Sequence, residues 1–210
     1  MVPMSVEEIA KAVDGRLVAG DGPAIEATET VTDSRQAGSG AVFVAIKGER
    51  VDGHDFVDKV AAQGAAAAIV DHEVACTTMP QIVVEDTVAA LGLLAKHNID
   101  RRRQLPGAFD LIGLTGSVGK TTTKDLLSAL LSTLGPTVAP IGSFNNEIGL
   151  PLTALRVNAD TRFFVAEMGA NHIGEIARLT RIAPPNTVIV LRVGVAHLGE
   201  FGSRERIAQA

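Results

Sequence analysis

The residues best suited to chemistry lie between Gly113 and Lys124, in the order Gly-Leu-Thr-Gly-Ser-Val-Gly-Lys-Thr-Thr-Thr-Lys. An apolar run, Leu111 to Leu114, leads into two glycines, a lysine and three threonines. That order predicts a buried strand, a tight loop and a helix whose first turn faces the loop, which is the arrangement that cradles a nucleoside triphosphate. Gly116 and Gly119 let the backbone turn its N–H groups inward, and Ser117 and Val118 complete the loop. Lys120 adds a point charge for the β and γ phosphates. The hydroxyl of Thr121 suits the magnesium ion that accompanies ATP, with Thr122 beside it in the first helical turn. A strict phosphate-loop spacing has glycine five residues before Gly119, where this chain has Leu114; its upstream glycine is Gly113. The plainer reading is a glycine turn between a strand and a core helix.

A phosphate loop binds but does not choose a reaction. Ligands of open parallel sheets lie beyond the carboxyl ends of the strands, so groups at other strand ends matter next. Glu167 follows Phe163-Phe164-Val165-Ala166, and His197 lies just past the apolar run from Val188 to Val193. A carboxylate and an imidazole there are candidates to complete metal coordination begun by Thr121; the alternative for each is a local hydrogen bond. In Gly142-Ser143-Phe144-Asn145-Asn146-Glu147, Asn145 and Asn146 are able to contact a ligand or, for Asn146, to cap a helix. His172 either lines a cleft or starts a helix. Near the amino terminus, Asp33-Ser34-Arg35 offers an acceptor, a hydroxyl and a guanidinium suited to phosphate. Asp52-Gly53-His54 reads as a turn and helix cap.

These residues need a scaffold. Ser5-Val6-Glu7-Glu8 is a capping-box pattern for a short first helix. Strands are expected near residues 16–19, 27–32, 41–46, 66–70 and 81–84, with helices at 54–63 and from Asp86-Thr87 toward His97. Arg101-Arg102-Arg103-Gln104-Leu105-Pro106-Gly107 then reads as a solvated linker. The boundary is placed there, giving a domain of residues 1–105 and a second of 106–210. Past it, strands and helices alternate at 109–115, 120–134, 137–140, 147–156, 162–167, 173–182 and 187–193, the rhythm of a mostly parallel sheet with helices on its faces. The fold class expected is therefore α/β: a small mixed α/β substrate domain followed by an incomplete phosphate-loop domain. Residues 203–210 look like a helix that stops without a cap, and about four strands would leave a sheet edge unprotected, so a truncated chain is expected.

Composition fits two globular domains in 210 residues, with 46% hydrophobic and 20% charged residues. The net charge of −5 supplies no electrostatic footprint for nucleic acid or an anionic membrane. With no Trp, no Tyr and seven Phe, base-stacking platforms are scarce. No apolar run suggests a membrane span or a secretory leader, and the single cysteine, Cys76, cannot form an intrachain disulfide. A cytoplasmic location is expected.

Taken together, these segments resemble the Mur ligases, the ATP-dependent amide-forming enzymes of peptidoglycan precursor synthesis. The residues carrying the resemblance are Asp33-Ser34-Arg35, Val42 to Gly48 with Asp52 to Phe56, Thr115 to Thr121, Ser143 to Gly149, Glu167 to His172, and Ala196 to Ser203. They span nearly the whole chain in family order. The Ser-Phe-Asn-Asn and Glu-Met-Gly-Ala-Asn-His segments favour the branch that joins D-alanyl-D-alanine to UDP-N-acetylmuramoyl-tripeptide. The resemblance implies a UDP-sugar-peptide-binding first domain, a central ATPase domain, and an acyl phosphate formed on the tripeptide. It further implies that Thr121, Glu167 and His197 serve Mg2+, that Ser34 and Arg35 contact the UDP-substrate, and that Asn145 and Asn146 line the junction of nucleotide and acceptor. Arg192 stands where the family usually has Asn. The family's metal-supporting lysine and its third domain would follow residue 210, so the 210 residues alone are expected to form no amide bond.

Overall fold

The computed structural model describes residues 1–18, 20, 25–75, 78–194 and 198–209. Its contacts divide the chain into two compact units, Met1–His97 and Asn98–Ala210.

The first unit is built on a five-stranded sheet in the order β1-β5-β4-β3-β2. Strands β2 (Glu29–Val31), β3 (Ala41–Val44), β4 (Ala67–Val70) and β5 (Gln81–Val83) are parallel, and β1 (Arg16–Val18) closes the edge antiparallel to β5. The small mixed α/β domain expected from the sequence is thus present, and its sheet is mixed through β1 alone. Every residue of β3 and β4 is buried, as befits central strands covered on both faces. Helix α1 (Val6–Ala12) starts where its capping box predicts, with Ser5 Oγ accepting from the Glu8 N–H at 3.2 Å. A single 3-10 turn, Gly53–Phe56, leads into α2 (Val57–Ala62), and Asp52 caps that turn through the His54 N–H at 3.0 Å. His54 is buried. Its Nδ1 lies 2.6 Å from Asp52 Oδ1, and its Nε2 accepts from the Asp71 N–H at 3.0 Å. The Asp52 contact therefore assigns the proton to Nδ1.

Helix α3 runs from Thr87 to Gln104. The solvated linker expected at Arg101–Gly107 is corrected here: its first four residues continue the helix. Asn98 shows why, since its amide donates to the carbonyls of Ala154 at 3.0 Å and Val157 at 2.9 Å. Arg102, only 2% exposed, donates from Nε to Thr161 O at 2.9 Å and lies over the Phe109 ring. An arginine run looks like surface in sequence, yet one turn of helix directs its middle member inward.

The second unit has a four-stranded, wholly parallel sheet in the order β7-β8-β6-β9. Strand β6 (Asp110–Thr115) is followed by α4 (Lys120–Ser132), β7 (Thr137–Val138), α5 (Gly149–Ala154), β8 (Phe163–Glu167), α6 (Glu175–Ile182) and β9 (Thr187–Val190). Short helices α7 (Leu198–Phe201) and α8 (Arg204–Ala208) complete it, the latter capped by Ser203. β8 is buried throughout, whereas β9 is an edge strand with Val188 and Val190 exposed. On α4 the leucines at 126 and 130 face outward, as does Leu134 just past its end, and the one buried residue of that helix is Lys124. Among the described residues no helix is long and apolar enough to cross a membrane.

Candidate active site

The parallel register of β6 and β8 pairs Leu114 with Glu167, which brings the carboxyl end of β8 beside the glycine loop. The loop takes a backbone conformation that requires glycine. Gly116 has φ +144° and Gly119 φ +85°, and a Cβ on Gly116 would sit 2.7 Å from the Leu191 Cβ. The continuation of β9 straps this loop: Ser117 N–H donates to Arg192 O at 3.0 Å, and Gly194 N–H donates to Ser117 Oγ at 2.9 Å. The Arg192 contact is made by backbone, so the departure from the family's usual Asn leaves this strap in place. Val118 is exposed at the loop's tip, and Thr122 is exposed on the first turn of α4.

Lys120 begins α4 and folds its Nζ onto Gly116 O at 2.6 Å. Thr121 Oγ1 makes a long 3.5 Å contact with Glu167 Oε1. That same oxygen accepts a much better hydrogen bond from Asn145 Nδ2, at 2.8 Å. Glu167 is 1% exposed, and its second oxygen, Oε2, has no hydrogen-bond partner among the described residues. A buried carboxylate oxygen without a donor is costly unless a cation answers it. Three of the residues singled out in sequence, Thr121, Asn145 and Glu167, are thus drawn together from α4, the loop before α5, and β8.

Asn145 is held by its backbone as well, its carbonyl accepting from Gly169 N–H at 2.9 Å. A Cβ on Gly169 would meet the Asn145 Oδ1 at 2.8 Å, so that glycine is what lets the amide lie against β8. Asn146 takes the capping role: its Oδ1 accepts from the N–H of Gly149 at 2.8 Å and of Ile148 at 3.2 Å. A polar cavity of about 480 Å³ opens beside them, lined by Lys120, Ser143, Asn145, Asn146 and Arg178 among others. The Arg178 guanidinium pairs with Glu147 at 2.6 Å.

His172 is exposed and bound to Glu175, its Nδ1 3.1 Å from Oε1. Burial pushes the Glu175 carboxyl up, but the N–H groups of Asn171 and His172 and the His172 ring outweigh it and hold the carboxyl below its ordinary value. His172 therefore belongs to the turn that starts α6. His197 lies outside the described residues.

Ser34 and Arg35 lie in the first unit, just past β2. Ser34 is buried. Arg35 turns back on Asp33, with Nη2 to Oδ2 at 2.6 Å and Nε to Oδ1 at 2.9 Å. This exposed pair, together with the Arg35 backbone N–H, holds the Asp33 carboxyl down at about 2. Sequence reasoning passed over Lys124, the Glu147–Arg178 pair and the Leu191–Gly194 strap. Only Lys124 had a visible signal, since it stands four residues after Lys120 and hence on the same helix face.

Two family models match: "Mur ligase middle domain" over residues 114–210 and "Mur ligase family, catalytic domain" over residues 27–99. The chain belongs to the Mur ligase family. Curated relatives named UDP-N-acetylmuramoyl-tripeptide–D-alanyl-D-alanine ligase are 44% identical in Mycobacterium tuberculosis (strain ATCC 25618 / H37Rv) and 38% identical in Escherichia coli (strain K12). Each match takes in 100% of this chain, but 45% and 44% of the respective relative, so the chain spans less than half their length. Among solved structures, MurF from Acinetobacter baumannii superposes with a TM-score of 0.89 at 41% identity, covering 99% of this chain and 45% of that one. MurF from Thermotoga maritima in complex with ADP gives 0.75 at 40% identity, covering 86% and 41%. Against these relatives the mixed sheet and the parallel sheet are the α/β fold expected from the sequence.

Proposed function

We propose that this chain is the substrate-binding and ATP-binding portion of a cytoplasmic ligase of peptidoglycan precursor synthesis. The reaction joins D-alanyl-D-alanine to UDP-N-acetylmuramoyl-tripeptide. ATP phosphorylates the tripeptide's terminal carboxylate, and the dipeptide amine displaces phosphate from the resulting acyl phosphate, so one amide forms and one P–O bond of ATP is consumed. Residues 1–105 form the UDP-sugar-peptide-binding domain, with Ser34 and Arg35 as its contacts; residues 106–210 form the central ATP-binding domain.

The observation that carries this reading is the convergence of Lys120, Thr121, Asn145 and Glu167 at the carboxyl edge of the parallel sheet, with Glu167 Oε2 buried and without a partner among the described residues. A hydroxyl and a hard carboxylate oxygen suit Mg2+, which when bound would offset charge on the transferred phosphoryl group. Thr121, Glu167 and His197 would hold it. Residues 116 to 122 would cradle the phosphates with their backbone N–H groups, and Lys120 would supply positive charge where phosphoryl transfer concentrates negative charge. Asn145 orients Glu167, and Asn146 fixes the loop that carries Asn145.

The test is phosphate release by the full-length protein given Mg2+ and ATP, expected only when UDP-muramoyl tripeptide and D-alanyl-D-alanine are both present. Release that ignores either substrate would sink the reading. A module that binds UDP-muramoyl peptide or ATP without turnover would bind its ligand but release no phosphate. Separate calorimetric titrations of ATP and of UDP-muramoyl tripeptide, set beside the phosphate assay, separate the two.

A further inference from the structure

Lysine is seldom buried, because removing an ammonium from water is costly unless it is paired. Lys124 is 2% exposed, the one buried residue of α4, while leucines at 126 and 130 of the same helix lie in solvent. Burying the cation rather than the leucines is explained by what the ammonium reaches. Its Nζ donates to Pro140 O at 3.0 Å and pairs with Asp125 Oδ1 at 2.6 Å. Pro140 is the root of the loop that carries Asn145.

That loop is anchored at both ends. At its start, Ala139 O accepts from Arg156 Nη1 at 3.1 Å and Pro140 O from Lys124. At its far end Asn146 caps α5. Between the anchors Asn145 reaches Glu167 Oε1. Lys124 stands one helical turn beyond Lys120 on the same face of α4, so the helix that presents the phosphate loop also sets where the asparagine loop begins.

We propose that Lys124 is a positioning residue that ties the phosphate-loop helix to the Asn145–Glu167 pair, so that the phosphate-facing and metal-facing halves of the site keep a fixed spacing. This rests on the ATP and Mg2+ reading above. The ammonium touches no reacting atom; it acts through Pro140 and Asn145. Loss of the tether lets Asn145 drift from Glu167 Oε1, which weakens the hold on Mg2+ while leaving the glycine loop, and hence metal-free nucleotide binding, in place.

The test is calorimetric titration of the full chain with ATP in EDTA and at stepped Mg2+ concentrations, with folding checked by circular dichroism. Lys124→Met is expected to raise the Mg2+ concentration needed for half-maximal enhancement of ATP binding roughly tenfold, the usual scale for loss of a group that orients a metal ligand. ATP affinity in EDTA is expected to change by less than about twofold. On an Asn145→Ala background the same substitution should add nothing, because both act on one contact. Lys124→Arg, which keeps a donor and a charge, should stay within about twofold of the wild type. An unchanged Mg2+ requirement in Lys124→Met, a full shift persisting on Asn145→Ala, or a tenfold shift in folded Lys124→Arg overturns the proposal. Should Lys124→Met not fold, the Lys124→Arg titration decides. Failure of the wild type to bind ATP at all would instead remove the nucleotide reading on which the proposal stands.

Discussion

The two sheets use the carboxyl ends of their parallel strands in opposite ways. In the first unit the polar groups there are paired with one another: Arg35 with Asp33, His54 with both Asp52 and the Asp71 backbone, and His72 stacked on His54 at 4.6 Å. Among the described residues of the second unit, a buried carboxylate oxygen, Glu167 Oε2, has no partner, and Lys120 Nζ is held by a carbonyl of its own loop. Strand-end position thus marks where ligands go, but hydrogen-bond satisfaction separates a surface that is internally balanced from one that asks for a cation and an anion.

The contrast can be broken at its strongest point first. Lys120→Ala in the full-length protein is expected to lower turnover by a factor of about 100 or more, the scale for loss of one group that stabilises developing charge. UDP-substrate affinity should move by less than about twofold, since the contacts proposed for it, Ser34 and Arg35, lie in the other unit. Phosphate release and calorimetry measure the two sides; equal losses in both would erase the division of labour.

Glu167→Gln comes next. It removes the charge but keeps the shape, and should weaken Mg2+-dependent ATP binding about tenfold or more while leaving the melting temperature within a few degrees or slightly raised. A variant with unaltered Mg2+ dependence would mean that the buried oxygen serves packing alone.

In the first unit the expected effects are on stability. His54→Ala strips both Asp52 and the Asp71 N–H of their partner, and by the usual cost of a buried hydrogen-bonding group should destabilise the protein by roughly 1–3 kcal/mol in urea unfolding. ATP affinity should not follow it. A loss of ATP binding at temperatures where the protein remains folded would show that the units are not independent in this respect.

The smallest effect concerns pH. The Asp33 carboxyl lies at about 2, depressed chiefly by the Arg35 side chain and then by its backbone N–H. A carboxyl whose folded value is depressed stabilises above its unfolded value and loses that contribution as pH falls toward the folded one. The Asp33–Arg35 turn should therefore stay ordered from neutral pH through 4 and loosen only as pH approaches about 2. Carboxyl NMR titration should place the Asp33 midpoint there, and Arg35→Ala should return it toward the ordinary carboxylate range. An unmoved midpoint would assign the depression to other groups.

Local patterns read directly from the residues held where one or two neighbours decide the outcome. Ser5 and Ser203 cap their helices, Asp52 caps the 3-10 turn, and Asn146 caps α5, because a side-chain oxygen reaches an N–H two or three residues on. The glycine loop between β6 and α4 was equally legible, since only glycine accepts the backbone at Gly116. The Arg101–Gly107 stretch was not legible: its composition signals solvent, while the helix phase and the carbonyls of Thr161 and Ala108 draw Arg102 inside. Nor did periodicity separate Leu126 and Leu130 of α4, which lie outward, from Lys124, which lies inward.

What the chain of residues determined alone was the set of chemical groups and the order of strands, loops and helices that present them, because capping, glycine conformation and strand patterning act over a few residues. Which groups meet was decided only in three dimensions. The register that sets Glu167 beside Leu114, the amide of Asn145 on that carboxylate, and the burial of Lys124 against Pro140 join positions 16 to 53 residues apart. Such contacts follow from how a parallel sheet and its helices pack, which no local pattern of residues specifies.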